Sequence, residues 1–147
     1  MISINKDSIS HINASIPSLP KGLNKLRGAE LPNHDLIVCG GNTRYGYSND
    51  YLHYNHDSNQ WMNVGTMNRA TSSHSSVWID GVLLTTGGKY SSGKITSHHE
   101  EFSFTGGVKK RKEMPVALAG HTATLYGQQT MIICGGWDGY VSKILYQ

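Results

Sequence analysis

Three apolar runs that each end in a Gly-Gly pair constrain the fold of this 147-residue chain more than any other feature. The runs LIVCGG, LLTTGG and MIICGG occupy residues 36–41, 83–88 and 131–136. The first glycines of the pairs, Gly40, Gly87 and Gly135, are separated by 47 and 48 residues. Self-similarity at a period of roughly 20–50 residues is typical of arrays in which each repeat is one small unit of secondary structure. The sequence therefore predicts about three copies of one unit.

Each repeat contains segments with the patterns of four β-strands. The short apolar runs are typical of strands that are buried on both faces. HSSVWIDG and HTATLYG alternate polar and apolar side chains and lead through a glycine turn into such a run, which favours a hairpin. DYLHYN and EEFSF alternate polar and aromatic residues, as half-buried strands do, and QWMNV supplies an outer strand. We expect an all-β fold of four-stranded antiparallel sheets that stack radially as the blades of a β-propeller.

The glycine pairs have a structural explanation within this fold. A residue without a Cβ atom lets the chain turn sharply and lets neighbouring strands approach closely. A phosphate-binding loop would instead require a helix after the glycines, and no helix is predicted there. We therefore predict structural roles for all six glycines of the pairs, which are Gly40, Gly41, Gly87, Gly88, Gly135 and Gly136.

Further residues recur in step with the glycines. His74 and His121 are 47 residues apart, and we expect both to make structural hydrogen bonds. The glycine pair at 40–41 is followed by Tyr54 and, seven positions later, by Trp61. This pattern, with Met67, Arg69 and His74 after it and GGWDG at 135–139, resembles kelch repeats over most of the chain. The resemblance implies a β-propeller that presents its loops to a protein partner.

The repeat boundaries predict blades at residues 23–67 and 69–114 and a partial blade at 116–147. Residues 1–20 match the end of one strand and the outer strand of a split blade. Closed propellers have about four to eight blades, so about three blades form an incomplete ring. Three explanations remain open: the chain is a fragment of a larger propeller, two copies complete a six-bladed ring, or a partial propeller is stable alone.

The loops that follow the glycine pairs form the candidate binding surface. Arginine, tyrosine and tryptophan are enriched at the residues that dominate binding energy in protein interfaces. The predicted surface consists of Arg44, Tyr45, Tyr47, Lys89, Tyr90, Trp137, Asp138 and Tyr140. We predict no catalytic residue.

Histidine, glutamate and cysteine residues raise the question of a metal site. His98, His99, Glu100 and Glu101 are adjacent, but neighbouring residues of a strand point to opposite faces, which leaves two half-sites. We expect a solvated strand here and no bound metal, because a zinc site needs three or four converging ligands. Cys39 and Cys134 occupy equivalent repeat positions and are expected to be two buried free thiols.

We expect a non-catalytic protein-interaction module with an unknown protein partner and no cofactor. The kelch resemblance leaves two alternatives open, a galactose-oxidase-like or other metal-dependent enzyme and an extracellular recognition domain. A net charge of +3 does not point to nucleic acid, and no apolar segment is long enough to predict a membrane helix. A cytoplasmic location is expected by default, whereas an incomplete N-terminus would leave an extracellular location open.

Overall fold

The structure, a computed structural model, describes residues 2–4, 9–11, 16–139 and 145–146, with side chains described for residues 16–139. These residues form strands and turns, and no helix among them is long and apolar enough to cross a membrane. The strands are β1 (Ile2–Ile4), β2 (Ile9–His11), β3 (Arg27–Glu30), β4 (Leu36–Cys39), β5 (Asn42–Thr43), β6 (Gly46–Tyr47), β7 (Asp50–Asn55), β8 (Gln60–Thr66), β9 (Ser75–Ile79), β10 (Val82–Thr86), β11 (Lys89–Tyr90), β12 (Lys94–Ile95), β13 (His99–Ser103), β14 (Gly107–Lys110), β15 (Thr122–Tyr126), β16 (Thr130–Cys134) and β17 (Leu145–Tyr146).

Three antiparallel sheets follow one another along the chain. Sheet I has the strand order β3-β4-β7-β8, sheet II the order β9-β10-β13-β14 and sheet III the order β15-β16-β17. In sheets I and II a small two-stranded hairpin, β5-β6 or β11-β12, is inserted between the second and third strands. The all-β antiparallel fold expected from the sequence is confirmed.

The first strands of the three sheets lie side by side, since β9 contacts both β3 and β15. The register of the sheets identifies equivalent positions. Arg27, Ser75 and Thr122 pair with Cys39, Thr86 and Cys134, the residues immediately before the three glycine pairs. The repeat seen in the sequence is therefore a repeat of strand pairing.

The described core lies between sheets I and II. Ile37, Cys39 and Tyr51 of sheet I meet Leu83 and Phe102 of sheet II, and all five side chains are buried. The rings of Tyr51 and Phe102 stack at 4.6 Å between centroids and 21° between planes. Ring stacking adds to the favourable free energy of burying two large apolar surfaces.

The glycine pairs join each sheet to the next. The backbone N–H of Gly41 donates to the carbonyl of Thr71, and that of Gly88 donates to the carbonyl of Leu118. A Cβ atom on Gly40, whose φ is +60°, would collide with the carbonyl oxygen of Thr71 and lie 2.7 Å from Cε1 of His74. Close packing and a left-handed backbone conformation both require glycine at this position.

The N-terminal strands β1 and β2 pair with each other, with Ile2 opposite His11. The prediction that residues 1–20 supply the outer strand of a split blade stays a prediction, as do the predicted blade boundaries at 23–67, 69–114 and 116–147.

Candidate functional site

The loops after the glycine pairs are built alike in the three sheets. Asn42, Lys89 and Trp137 each form a backbone bridge to the segment that leads into the first strand of the same sheet, at Asn24, Ser72 and Ala119. These bridges hold the beginning of each loop against the body of its own sheet. The side chains of Asn42, Lys89 and Trp137 therefore start from equivalent places.

Two of the predicted residues meet across neighbouring loops. The Nζ atom of Lys89 lies 5.0 Å from the ring centroid of Trp137, which is 44% exposed. An ammonium group over an indole face is attracted by the quadrupole of the ring. Sequence separation alone does not reveal this contact, because it depends on how sheets II and III stack.

The other predicted aromatic residues are held by arginines. The guanidinium of Arg44 lies 4.5 Å over the ring of Tyr45, and that of Arg69 lies 4.3 Å over the ring of Tyr90. Tyr45 is 83% exposed, which makes it the most exposed large apolar side chain among the described residues. A groove of about 590 Å³ lies beside Arg44 and Tyr45 and is also lined by Lys21, Gly22 and Thr43.

Arg69 was not part of the surface predicted from the sequence. The sequence signal that could have identified Arg69 is its position shortly after Met67, in the segment that leads into the next sheet. The half-buried residues Tyr47 and Asp138 lie on the same loops, whereas Tyr140 lies outside the described residues. We name the set Arg44, Tyr45, Arg69, Lys89, Tyr90 and Trp137 the loop surface.

The cluster at residues 98–101 is not a solvated strand, so that prediction was wrong. His98, Glu100 and Glu101 are all buried. Strand β13 is the third strand of sheet II, and Glu100 faces the interior between sheets I and II, where the hydroxyl of Tyr51 reaches it. A strand that is covered on both faces buries even its charged residues if partners are supplied.

Glu100 is the centre of a buried polar network. Its Oε1 accepts a hydrogen bond from the Tyr51 hydroxyl at 2.9 Å, and its Oε2 accepts one from the backbone N–H of Asn68 at 3.0 Å. Nε2 of His98 lies 2.9 Å from the same Oε2. Burial raises the pKa of Glu100, but these three hydrogen bonds outweigh it and lower the pKa below its ordinary value. The carboxylate is therefore ionised at neutral pH.

Cys39 and His74 form a buried pair that has the composition, but not the electrostatics, of a catalytic dyad. Nε2 of His74 lies 3.3 Å from Sγ of Cys39. Burial raises the pKa of the Cys39 thiol, and burial lowers the pKa of His74 to about 4. A nucleophilic cysteine needs a lowered pKa, so this thiol is an unreactive core group.

His121 repeats the position of His74, with Nε2 at 3.1 Å from Oγ1 of Thr86. Each histidine connects the second strand of one sheet to the segment just before the first strand of the next sheet. Cys134, at the position equivalent to Cys39 and Thr86, is exposed, so the prediction of two buried thiols was wrong for this residue. Among the described residues, no further sheet covers the face of sheet III on which a partner for Cys134 would lie.

Asp35 forms a second buried cluster that sequence reasoning missed. Its Oδ2 lies 2.8 Å from Nε2 of His53, and its Oδ1 accepts from the backbone N–H of His56 at 2.7 Å. Burial raises the pKa of Asp35, whereas the hydrogen bonds from His56, His53 and Asn33 lower it more, to below its ordinary value. The carboxylate ties β4 to the end of β7 and is saturated with partners.

Metal-ligating side chains do not cluster in the described part of the chain. Within residues 16–139, no three histidine, cysteine, aspartate or glutamate side chains converge on a position that could hold a metal ion. The acidic residues of the two buried clusters are each occupied by hydrogen-bond donors from the protein.

Comparison with known proteins gives a distant relationship to a kelch-like protein. No family model matches the chain. Kelch-like protein 33 of Homo sapiens is 25% identical over 137 residues, which cover 89% of this chain and 26% of that protein. The chain thus spans about a quarter of the length of the relative. Over most of its own length it is similar to a kelch-like protein.

Proposed function

We propose that this chain is a non-catalytic, kelch-type protein-interaction module that presents the loop surface to a protein partner. In this proposal the four-stranded sheets are propeller blades. The first strand of each sheet, β3 or β9, is then the strand nearest the propeller axis. The repeated glycine contacts and the distant similarity to a kelch-like protein support this architecture. Which protein is bound is set by the loops, since a fold alone does not determine a function.

The contact between Lys89 and Trp137 carries the proposal. It joins two successive loops into one continuous surface, and it keeps a large aromatic ring 44% exposed and oriented. Rigid aromatic side chains bind a partner at a small cost in conformational entropy, and arginine adds planar hydrogen bonding. Arg44 and Tyr45 belong to the equivalent loop of sheet I and lie beside the groove of about 590 Å³.

The buried clusters support a role without catalysis. The thiol of Cys39 is protonated and enclosed, and the carboxylates of Glu100 and Asp35 already accept hydrogen bonds from the protein. Each of these groups joins strands or sheets and has no open position for a substrate. Their arrangement stabilises the scaffold that carries the loops.

The proposal is tested with the double variant Tyr45→Ala, Trp137→Ala and the control Tyr126→Ala. Tyr126 is 64% exposed but lies on β15, away from the loop surface. Partners of the wild-type chain are captured from cells and quantified by mass spectrometry, and the strongest is purified for a direct titration. We expect the double variant to weaken its binding at least about tenfold, because hot-spot truncations cost roughly 2 kcal/mol or more.

The control should bind as the wild type does, and circular dichroism should show that both variants are folded. If a folded double variant binds every captured protein with unchanged affinity, the loop surface is not the interface.

A further inference from the structure

A small cavity of about 150 Å³ lies where the first strands of the three sheets meet. It is separate from the loop surface and does not depend on the function proposed above. Its walls are formed by Arg27, Ser75, Ser76, His121, Thr122 and Ala123.

The repeat explains why these residues converge. Arg27, Ser75 and Thr122 are the three positions that pair with the residues before the glycine pairs. Because β9 lies between β3 and β15, equivalent positions of the three strands come to the same level. One repeat supplies a guanidinium at this level, and the other two supply hydroxyl groups.

Arg27 brings a positive charge without an acidic partner among the described residues. The hydrogen bond shown for its guanidinium runs from Nη1 to the carbonyl of Leu26 at 3.0 Å. By contrast, Lys21 pairs with Asp50, and Arg111 pairs with Glu101. Most of the five N–H donors of Arg27 are therefore available to a ligand.

Ser76 brings a hydroxyl that is buried and has no hydrogen-bond partner within the described structure. A buried polar atom without a partner is costly, so this hydroxyl has both its donor and its acceptor capacity free for a ligand. The neighbouring hydroxyl of Ser75 is already engaged, since it donates to the carbonyl of His121 at 2.6 Å. Burial lowers the pKa of His121 to about 4, so its imidazole is neutral near pH 7. The positive charge at the cavity therefore comes from Arg27.

We propose that this cavity binds a small oxyanion, held by the guanidinium of Arg27 and the hydroxyl of Ser76. Guanidinium groups bind carboxylate and phosphate oxygens through two parallel hydrogen bonds. A water molecule takes about 30 Å³ of liquid, so the cavity has room for an anion of four or five heavy atoms. Free phosphate and the carboxylate of an acidic side chain share this chemistry.

The test is an NMR titration of the 15N-labelled full chain with sodium phosphate and, separately, sodium acetate at constant ionic strength. The Nε–Hε signal of Arg27 and the amide signals of Ser76 and Ala123 report on the site. Binding predicts saturable shifts that follow one isotherm. A preference for phosphate identifies an inorganic anion as the ligand, and a preference for acetate identifies a carboxylate.

Three variants complete the test. Arg27→Met should abolish the saturable shifts, and Ser76→Ala should raise the dissociation constant several-fold. Lys109→Met removes an equal charge from the exposed outer strand β14 and should leave the isotherm unchanged. Arg27→Lys replaces the methionine variant if that variant does not fold, and it should weaken binding because a lysine cannot form the two parallel bonds.

Shifts that rise linearly with either anion and never saturate would overturn the proposal. So would an isotherm that is the same in wild type and in a folded Arg27→Met or Arg27→Lys variant.

Discussion

Nε2 of His74 lies 3.3 Å from Sγ of Cys39, across the junction of sheets I and II. The same relation recurs 47 residues later, where Nε2 of His121 lies 3.1 Å from Oγ1 of Thr86. In each case the histidine also packs against the first glycine of the preceding pair, Gly40 or Gly87. The junction between sheets is thus a repeated unit of one histidine, one small polar residue and one glycine.

This junction predicts different costs for two equivalent alanine substitutions. Gly87 and Gly135 have almost the same φ, +64° and +66°, but only Gly87 is covered, by Leu118 and His121. Gly135→Ala should lower the free energy of unfolding by about 1–2 kcal/mol through backbone strain alone. Gly87→Ala should lower the free energy of unfolding by about 1–3 kcal/mol more, because the added methyl group forces the segment of Leu118 and His121 to move. Urea denaturation measures both, and equal costs would contradict the role of the glycine in joining the sheets.

Acid should weaken the same junction. Burial lowers the pKa of His74 and of His121 to about 4, from an ordinary value of 6.5. Below pH 6.5 the unfolded chain therefore binds protons that the folded chain does not, and stability falls as the pH is lowered toward 4. The shift for His74 alone should lower the free energy of unfolding by about 2 kcal/mol between pH 7 and pH 5.

The variant His74→Leu tests this pH dependence. The chain itself places Leu26 in the equivalent position of sheet I, against Gly41, so leucine suits the backbone there. We expect the loss of stability between pH 7 and pH 5 to shrink by about 2 kcal/mol in this variant. His56→Leu removes an exposed histidine and should keep the wild-type loss. An unchanged pH dependence in His74→Leu would show that His74 is not the responsible group.

The two cysteines should react with thiol reagents at very different rates. Cys134 is exposed, whereas Cys39 is 1% exposed and burial raises its pKa. In the native chain, a disulfide reagent should modify one thiol rapidly and the second only when denaturant is added. Cys134→Ser should eliminate the rapid phase. Rapid modification of both thiols would contradict the enclosed position of Cys39.

Replacement of Glu100 should test the buried network between sheets I and II. Glu100→Gln gives up a carboxylate that accepts hydrogen bonds from Tyr51, Asn68 and His98. We expect the free energy of unfolding at pH 7 to fall by roughly 2–4 kcal/mol, since hydrogen bonds to a buried charge are worth about 1.5–3 kcal/mol each. The exposed Glu113→Gln should behave as the wild type does in the same urea titration. A similar midpoint for both variants would show that the network does not stabilise the fold.

The strands were predictable because their signals are local. The run LIVC forms β4, and DYLHYN forms β7 with the predicted bounds. Alternation of side chains and glycine turns lies within a few residues of each strand, and the repeat reinforces each assignment. The placement of the loops that follow the glycine pairs came from the same repeat.

The burial of polar residues was not predictable in this way. His98, Glu100 and Glu101 form a charged stretch that looks exposed in the sequence. The partners of the two glutamates, Tyr51, Asn68 and Arg111, lie 49, 32 and 10 residues away. No local pattern indicates that Tyr51 of sheet I donates to Glu100 of sheet II. The same holds for Asp35, whose histidine partner His53 belongs to another strand.

The sequence by itself determined the repeat, the strands and the glycine turns, because these depend on residues that are neighbours along the chain. Only the tertiary structure decided which side of each sheet is covered. Cys39 and Cys134 stand at equivalent positions of the same motif, yet Cys39 is buried beneath the next sheet and Cys134 is exposed. The same stacking brings Lys89 to Trp137 and places Arg27 and Ser76 in the lining of one cavity. Burial and contact depend on the sheet that lies alongside, which a repeat unit does not encode.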